Sequence, residues 1–396
     1  MMPRATGLAT TVAALLVLAL VACQPAAGPR GSQAASPSQP TGDAASAGAG
    51  PASSAAPASA DPAALQALID GARKEGKLSL MWTEGTIGGS ETIQEWARGF
   101  NRLYGLNLEV QFTPGPPMAP MGARIIQEHQ AGRPASTDIY LSGANDMIPA
   151  LEVDALEKVN WTAWALHIRD PELVAADGAL VEIAAPLVGI VYNSTRLTPQ
   201  TAPASLQDLL KPEYKGRIGT TPYAALFDRL VSPELWGEQR TLDYMTQFSG
   251  HIGGLIGCSD YDRILSGEFD MLAIACNLGQ ARTRQVRNGE PLAWVVPSDA
   301  AMIQYWYMAV PRTASHPNAA KLWINYMLTR EAQDILYAAS SLDHYLVEGS
   351  QFAAEVKRLE AAGIQIHHVG TEFIQRNDRK KIHDVSTQMQ AMLRRQ

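Results

Sequence analysis

The sequence has no surplus of basic residues. Its 396 residues carry 32 Lys and Arg against 39 Asp and Glu, a formal net charge of −7. A nucleic-acid binder shows the reverse balance, so no nucleic-acid partner is expected. Long apolar runs are also missing. Nothing beyond the N-terminus reaches the roughly 18 residues of a membrane span, which argues against a multi-span membrane protein. Cysteine is scarce: Cys23, Cys258 and Cys276 are too few for a disulfide framework and lack zinc-site spacing. The chain has no HExxH, no Walker pattern at Gly85–Gly89 and no G-x-S-x-G elbow at Ser142-Gly143. With no acid–base or nucleophile pair fixed by spacing, no catalytic residue, metal or cofactor is expected. What is present is a normal apolar fraction, 46%, enough to build a folded body.

The first 60 residues stand apart. Arg4 precedes an apolar run from Val12 to Ala22, short for a bilayer span but suited to a signal-peptide core. It ends in Leu20-Val21-Ala22-Cys23, which resembles the bacterial lipobox. The resemblance implies that residues 1–22 are removed and that Cys23 is lipidated and becomes the N-terminus. The plain alternative is ordinary cleavage beside a chance cysteine. In residues 24–60, 31 of 37 positions are Ala, Pro, Ser or Gly, so this stretch cannot bury a core and reads as a tether. Its reach is about 35 Å by flexible-chain scaling. Without these residues the body carries −8, because two arginines and one aspartate are lost.

From residue 61 the pattern alternates between helix and strand. Asp61-Pro62 predicts a helix start, Leu65, Leu68, Ile69 and Ala72 its apolar face, and Gly76 its end. Strands follow at Leu78–Trp82 and Leu108–Phe112, with a helix from Ser90 to Gly105 between them. A helix around Ile125-Ile126 leads to a strand at Asp138–Leu141. The apolar run Ala185–Tyr192 reads as one buried strand. Further strands are expected at Arg217–Thr221, Met271–Ala275, Leu292–Val296 and Ile303–Val310. The last third reads as helical, with a final helix from about Val385. Such units predict an α/β protein with mostly parallel sheets flanked by helices.

Four segments carry a family resemblance. They are Glu75-Gly76-Lys77-Leu78, Ser136-Thr137-Asp138-Ile139-Tyr140, the stretch from Gly189-Ile190-Val191-Tyr192-Asn193 through Leu206-Gln207-Asp208-Leu209-Leu210-Lys211-Pro212-Glu213-Tyr214-Lys215-Gly216-Arg217-Ile218, and Val310-Pro311-Arg312 through Ser315-His316-Pro317-Asn318 to Leu328. The last two are long and specific. Together they resemble the extracellular solute-binding proteins of bacterial ABC importers, with the type II periplasmic-binding fold, in the group that includes the ferric-ion binders. The resemblance implies two lobes, residues 61–187 with 304–396 and residues 188–303, closing on a solute by hinge motion. It also implies a monomer, anchored outside the cytoplasm, that delivers a small molecule to an importer permease. Two other classes stay open: an extracytoplasmic enzyme on the same lobes, and a ligand-sensing lipoprotein.

In open α/β sheets, ligands sit beyond the carboxyl ends of strands, where helix N-termini favour anions. The candidate ligand residues are therefore Thr83, Glu84 and Thr86, then Ser142, Gly143 and Asn145, then Thr221, Tyr223 and Asn277. Tyr192 and Tyr305 join them as residues of the expected crossing strands. Any one of these is more simply read as a turn or cap residue. The ferric members carry two adjacent tyrosines after the strand that follows a Gly-Glu segment; here Gly267-Glu268 leads instead to Cys276-Asn277. A small polar, anionic solute is therefore favoured over iron, with Arg282 or Arg284 as possible partners, equally readable as a solvated helix face. Tyr305 and Tyr307 share one strand face, a pattern typical of core packing. The adjacent His367 and His368 read as surface residues. Cys258 and Cys276 are candidates for a disulfide, in a compartment where bridges persist, or for two buried thiols. Intact-mass analysis of the protein from its host membrane is expected to give an acylated Cys23 N-terminus; a soluble, unmodified mature chain would contradict this.

Overall fold

The computed structural model describes residues 61–395, so the leader, Cys23 and the tether lie outside the described residues. Helix α1 (Pro62–Glu75) starts where Asp61 accepts a bond from the Ala63 N–H at 2.8 Å and stops at Gly76, whose φ of 69° few other residues adopt without strain. Strand β1 (Lys77–Trp82) follows, then α2 (Ser90–Tyr104) and β2 (Glu109–Pro114), which pairs parallel with β1. The cap of α2 is Gly89 rather than Ser90, because Glu84 takes the Ser90 N–H at 3.0 Å. Next come α3 (Met118–Gln130), β3 (Tyr140–Gly143) and α4 (Ala144–Glu152). Two more strands, β4 (Val174–Ala175) and β5 (Leu180–Ala184), complete this half.

The run Ala185–Tyr192 is not one strand. Pro186 lacks an N–H and cannot continue a ladder. The chain leaves β5 at Ala184, crosses over residues 185–188, and re-enters a different sheet as β6 (Gly189–Asn193). There follow β7 (Ile218–Thr220), α5 (Glu238–Ser249), β8 (Ile252–Leu255), α6 (Tyr261–Leu265), β9 (Met271–Ala275), α7 (Leu278–Asn288) and β10 (Leu292–Val295). The chain then returns through β11 (Met302–Ile303) to β12 (Trp306–Ala309), an interruption at Gln304-Tyr305 of what reads as one strand. Helices α8 (Pro317–Met327), α9 (Arg330–Ser340) and α10 (Ala353–Ala361), strand β13 (His367–His368), and helices α11 (Thr371–Arg376) and α12 (Arg379–Leu393) finish the chain. The cap of α8 is His316 rather than Ser315, the residue type that more often caps a helix. Asp378 caps α12 by accepting the Lys381 N–H, so the helix starts at Arg379, six residues before Val385.

Two larger sheets result, in the orders β3-β12-β5-β4 and β10-β6-β9-β7-β8, beside the two-stranded pairs β1-β2 and β11-β13. The β1–β2 pair joins the first through a parallel bridge between Leu80 and Ile139. Both sheets are mixed rather than mostly parallel. The returning strand β12 runs antiparallel to β3 and β5, and β6 runs antiparallel to β9 and β10. Helix α12 packs on α5 and on the short helix Phe227–Val231, so the last helix of the chain lies against the second sheet's helices.

One core lies under α1, α2 and α8, where Phe100 is fully buried with its ring 5.2 Å from that of Trp323. The other spans the second sheet and the face of the first sheet that carries Tyr140, Tyr305 and Tyr307. Phe100→Ala leaves a cavity among Trp96, Trp323 and Tyr326 and is expected to lower unfolding free energy by about 3–5 kcal/mol in urea titration. A loss below about 1 kcal/mol would contradict this packing.

Candidate functional site

The carboxyl ends of β3 and β7 meet across the two sheets. Strand β3 delivers Gly143 in an extended conformation, φ −85°, and α4 begins at once. Ser142 is fully buried, with its hydroxyl 3.2 Å from the Asp146 carboxylate. Asn145, in the first turn of α4, accepts a hydrogen bond at 3.0 Å from Nη2 of Arg229. Arg229 comes from the other sheet's side, just past β7. The loop between contains two non-glycine residues in the left-handed region, Ala224 (φ 50°) and Leu226 (φ 62°). Such strain persists only where surrounding contacts enforce it. Here Thr221 supports the turn by accepting the Ala225 N–H at 3.0 Å.

Arg229 is almost fully buried, with 5% of its side chain exposed. Nη1 lies 2.9 Å from the Asp228 carboxylate, whereas its buried Nε has no partner. A buried N–H without an acceptor costs about 1–3 kcal/mol, so this donor marks a place for an acceptor. Arg229 was not among the residues singled out by spacing. It follows an irregular loop and lies within the short 3₁₀ helix Phe227–Val231, where no hydrophobic period signals position.

The other candidates lie apart from this contact. Thr83 donates to the Pro116 carbonyl at 3.0 Å, Glu84 holds the Ser90 N–H, and the Thr86 N–H closes a turn on the Thr83 carbonyl. Asn277 caps α7 by accepting the Gly279 N–H at 2.9 Å and donates to the Ser341 carbonyl at 3.1 Å, so its amide is spent on structure. Tyr223 is half exposed beside Cys258. Tyr192 is placed away from the crevice: it pairs with Met271, the first residue of β9, while Gly189 pairs with Ala275 at the crevice end. Arg284 is taken up by Glu290 and Asp262, and Arg282 donates to the Gln351 carbonyl at 2.9 Å, so both serve the surface of α7. A disulfide joins Cys258 and Cys276, with Cα atoms 5.7 Å apart. It ties the end of β9 to the loop before α6.

Tyr305 belongs to a second constellation. The register sets Tyr307 opposite both Ser142 and Glu182, so the three share one face of the first sheet. Glu182 lies 3.3 Å from Nε2 of the fully buried His344. Burial, reinforced by the Glu372 and Glu172 carboxylates, raises the Glu182 carboxyl to about 9. Burial lowers His344 to about 3. Tyr305 shares a short hydrogen bond with Nδ1 of His368, and Tyr307 accepts the Thr371 N–H at 3.1 Å. Burial, followed by the Glu182 carboxylate, raises both tyrosines above their ordinary range. His367 is half-buried and His368 exposed, in line with a surface reading, and the two form β13 alongside β11. A cavity of about 460 Å³ opens against Glu182, Tyr305, Tyr307 and His368. The carboxylate inside the apolar run Leu180–Ala184 was the available sequence signal for it.

A family model for bacterial extracellular solute-binding proteins matches residues 150–377, more than half of the chain. The chain belongs to this family. An Fe(3+)-binding periplasmic protein of Serratia marcescens is 24% identical over 265 residues, covering 65% of this chain and 76% of that protein. The substrate-binding protein of an ABC transporter from Agrobacterium tumefaciens superposes with a TM-score of 0.63 at 16% identity, over 80% of this chain and 94% of that one. A ferric-binding protein from Campylobacter jejuni gives 0.61 at 17% identity, over 78% and 99% of the two chains. These neighbours share the type II periplasmic-binding fold expected from the sequence. Among the described residues no helix is long and apolar enough to cross a membrane.

Glu182 also gives this family member a pH signature. The folded carboxyl titrates higher than the unfolded one, so the folded state holds more protons between about 4.5 and 9, and stability falls as pH rises through that window. Glu182→Gln removes the loss. Relative to wild type, its stability in urea titration is expected to improve by at least about 1 kcal/mol between pH 5 and pH 8. Parallel pH profiles for the two proteins would contradict the neutral, buried carboxyl.

Proposed function

We propose that this solute-binding protein captures a small anionic solute where β3 and β7 converge and delivers it to the permease of an ABC importer. The observation that carries the reading is Arg229: a buried guanidinium that reaches Asn145 from the opposite sheet and keeps one donor unpaired. Asp228 offsets part of its charge. The first turn of α4 supplies further N–H groups, and burial raises the Asp146 carboxyl there, which lessens its opposition to an anion. An oxyanion between Nε and that turn would hold both halves together. Residues 61–187 with 304–377 would then form one lobe and 188–303 the other, with α12 added to the second because it packs on α5 and the Phe227–Val231 helix rather than staying with the first lobe. The lobes would close about the crossings at 185–188, 296–304 and 377–378. The Cys258–Cys276 bridge stiffens the second lobe beside this crevice. Lipid at Cys23 and the tether would keep the body outside the cytoplasm, within reach of its permease.

The relatives named for ferric ion suggest iron as the alternative cargo. Two features of this chain oppose it. The position of the adjacent tyrosine pair is occupied by Cys276, in a disulfide, and Asn277, a helix cap. Tyr305 and Tyr307 sit in a buried network that disfavours phenolate.

A thermal-shift panel of inorganic phosphate, organic phosphates, carboxylates and ferric citrate tests the reading. A matching anion at 100 times its Kd is expected to add about 2.7 kcal/mol of stability. Arg229→Gln and Asn145→Ala should each weaken that binding about tenfold or more, and ferric citrate should give no red tyrosinate colour. A coloured ferric complex, or anion binding indifferent to both substitutions, would overturn it.

A further inference from the structure

The 460 Å³ cavity beside β5 and β12 is not used by the anion reading: of the residues expected at the crevice, only Tyr305 lines it. Its inner wall is Glu182, nine-tenths buried, with Tyr307 beside it and His344 behind. Among the described residues no lysine or arginine pairs with this carboxyl. His344 offers no balancing charge, since complete burial keeps it neutral. At the mouth stand two exposed carboxylates, Glu172 and Glu372. The one cationic side chain in the lining, Arg376, is already held by both oxygens of Glu234, at 2.7 and 2.8 Å. His368 is lowered by burial and bonded to Tyr305, so it adds no cation either. The remaining walls are aromatic: Tyr305, Tyr307 and Phe373. Gly370 allows this close arrangement, since a side chain there would collide with the Tyr307 hydroxyl.

We infer that this cavity is a second ligand site and takes an organic ammonium ion carrying an apolar or aromatic group. The volume lies in the range of small-molecule sites. An ammonium head placed at Glu182 supplies the charge that the carboxyl lacks, while the tyrosine and phenylalanine faces receive the cation and its apolar tail. Because Glu182 is protonated at neutral pH in the empty cavity, binding transfers its proton to solvent and leaves a carboxylate–ammonium pair. The site is built on the first sheet and the α11 segment. It therefore stands or falls independently of anion capture at Arg229.

Isothermal titration of the mature chain with phenethylammonium chloride tests this, with 2-phenylethanol as the uncharged isostere. Two zwitterionic buffers of different ionisation enthalpy read the proton. The expected result is binding of the ammonium at least about tenfold tighter than the alcohol, with up to one proton released. Glu182→Gln should abolish the proton release and weaken binding about tenfold or more. The double variant Glu172→Gln/Glu372→Gln changes only exposed positions and should weaken binding several-fold while leaving the melting temperature unchanged. No binding at millimolar ammonium, equal affinity for the alcohol, or affinity unchanged in both variants would overturn the site.

Discussion

The structure depends on how the chain passes between its two sheets. It crosses once at residues 185–188, where Pro186 ends one ladder, and returns between β10 and β11. The passages are tied to each other: the Val188 N–H donates to the Met302 carbonyl, and Leu187 bridges Ile303. With both sheets hung from this seam, the carboxyl ends of β3 and β7 must face each other. The first helical turn of α4 and the strained loop before Arg229 are brought together by that topology alone. Nothing in their local sequence requires them to meet.

Two buried polar constellations flank the seam, and they solve opposite electrostatic problems. Arg229 is a buried cation with a local counter-charge in Asp228 and one donor left over. Glu182 is a buried acid without a cation, which the fold tolerates by keeping it protonated and bonded to neutral partners. Burying either group unpaired would be costly, and replacing it with a packed apolar residue would cost less. Their retention in the interior points to ligands rather than to stability. The buried Asp270 carboxylate is the contrasting case: it is ion-paired with Arg196 and Arg217, whose side chains remain partly exposed, so its charge is offset by residues of the protein itself.

The sequence was most informative where a repeating period met a capping residue. The helix after Asp61-Pro62 and the first two strands stand within a residue or two of their expected places, because alternation and caps are local signals. The run at 185–192 misled because a continuous apolar stretch carries no register and a crossing between two buried sheets is as apolar as a strand. The site was only partly legible. The sequence directed attention to the loop positions after β3 and β7, and Asn145 does touch the other half. Arg229 was invisible because it sits on an irregular turn. Asn277 and Glu84 illustrate the converse: polar residues at the right strand ends whose side chains are consumed by caps and turns. Tyr192 failed for a register reason, lying at the wrong end of its strand.

The central claim is that a solute draws the two sheets together across Arg229 and Asn145. Spin labels at exposed Leu103 and Val286, one on each side of the seam, would report it by pulsed dipolar distance measurement. The protein should be measured as isolated from its host, then again after unfolding, dialysis and refolding to strip any bound solute. The account predicts a single short distance in the loaded protein and a longer or broader distribution in the stripped one, restored by adding back the low-molecular-mass fraction released on unfolding. The same distribution in all three samples, with solute demonstrably released and rebound, would contradict it.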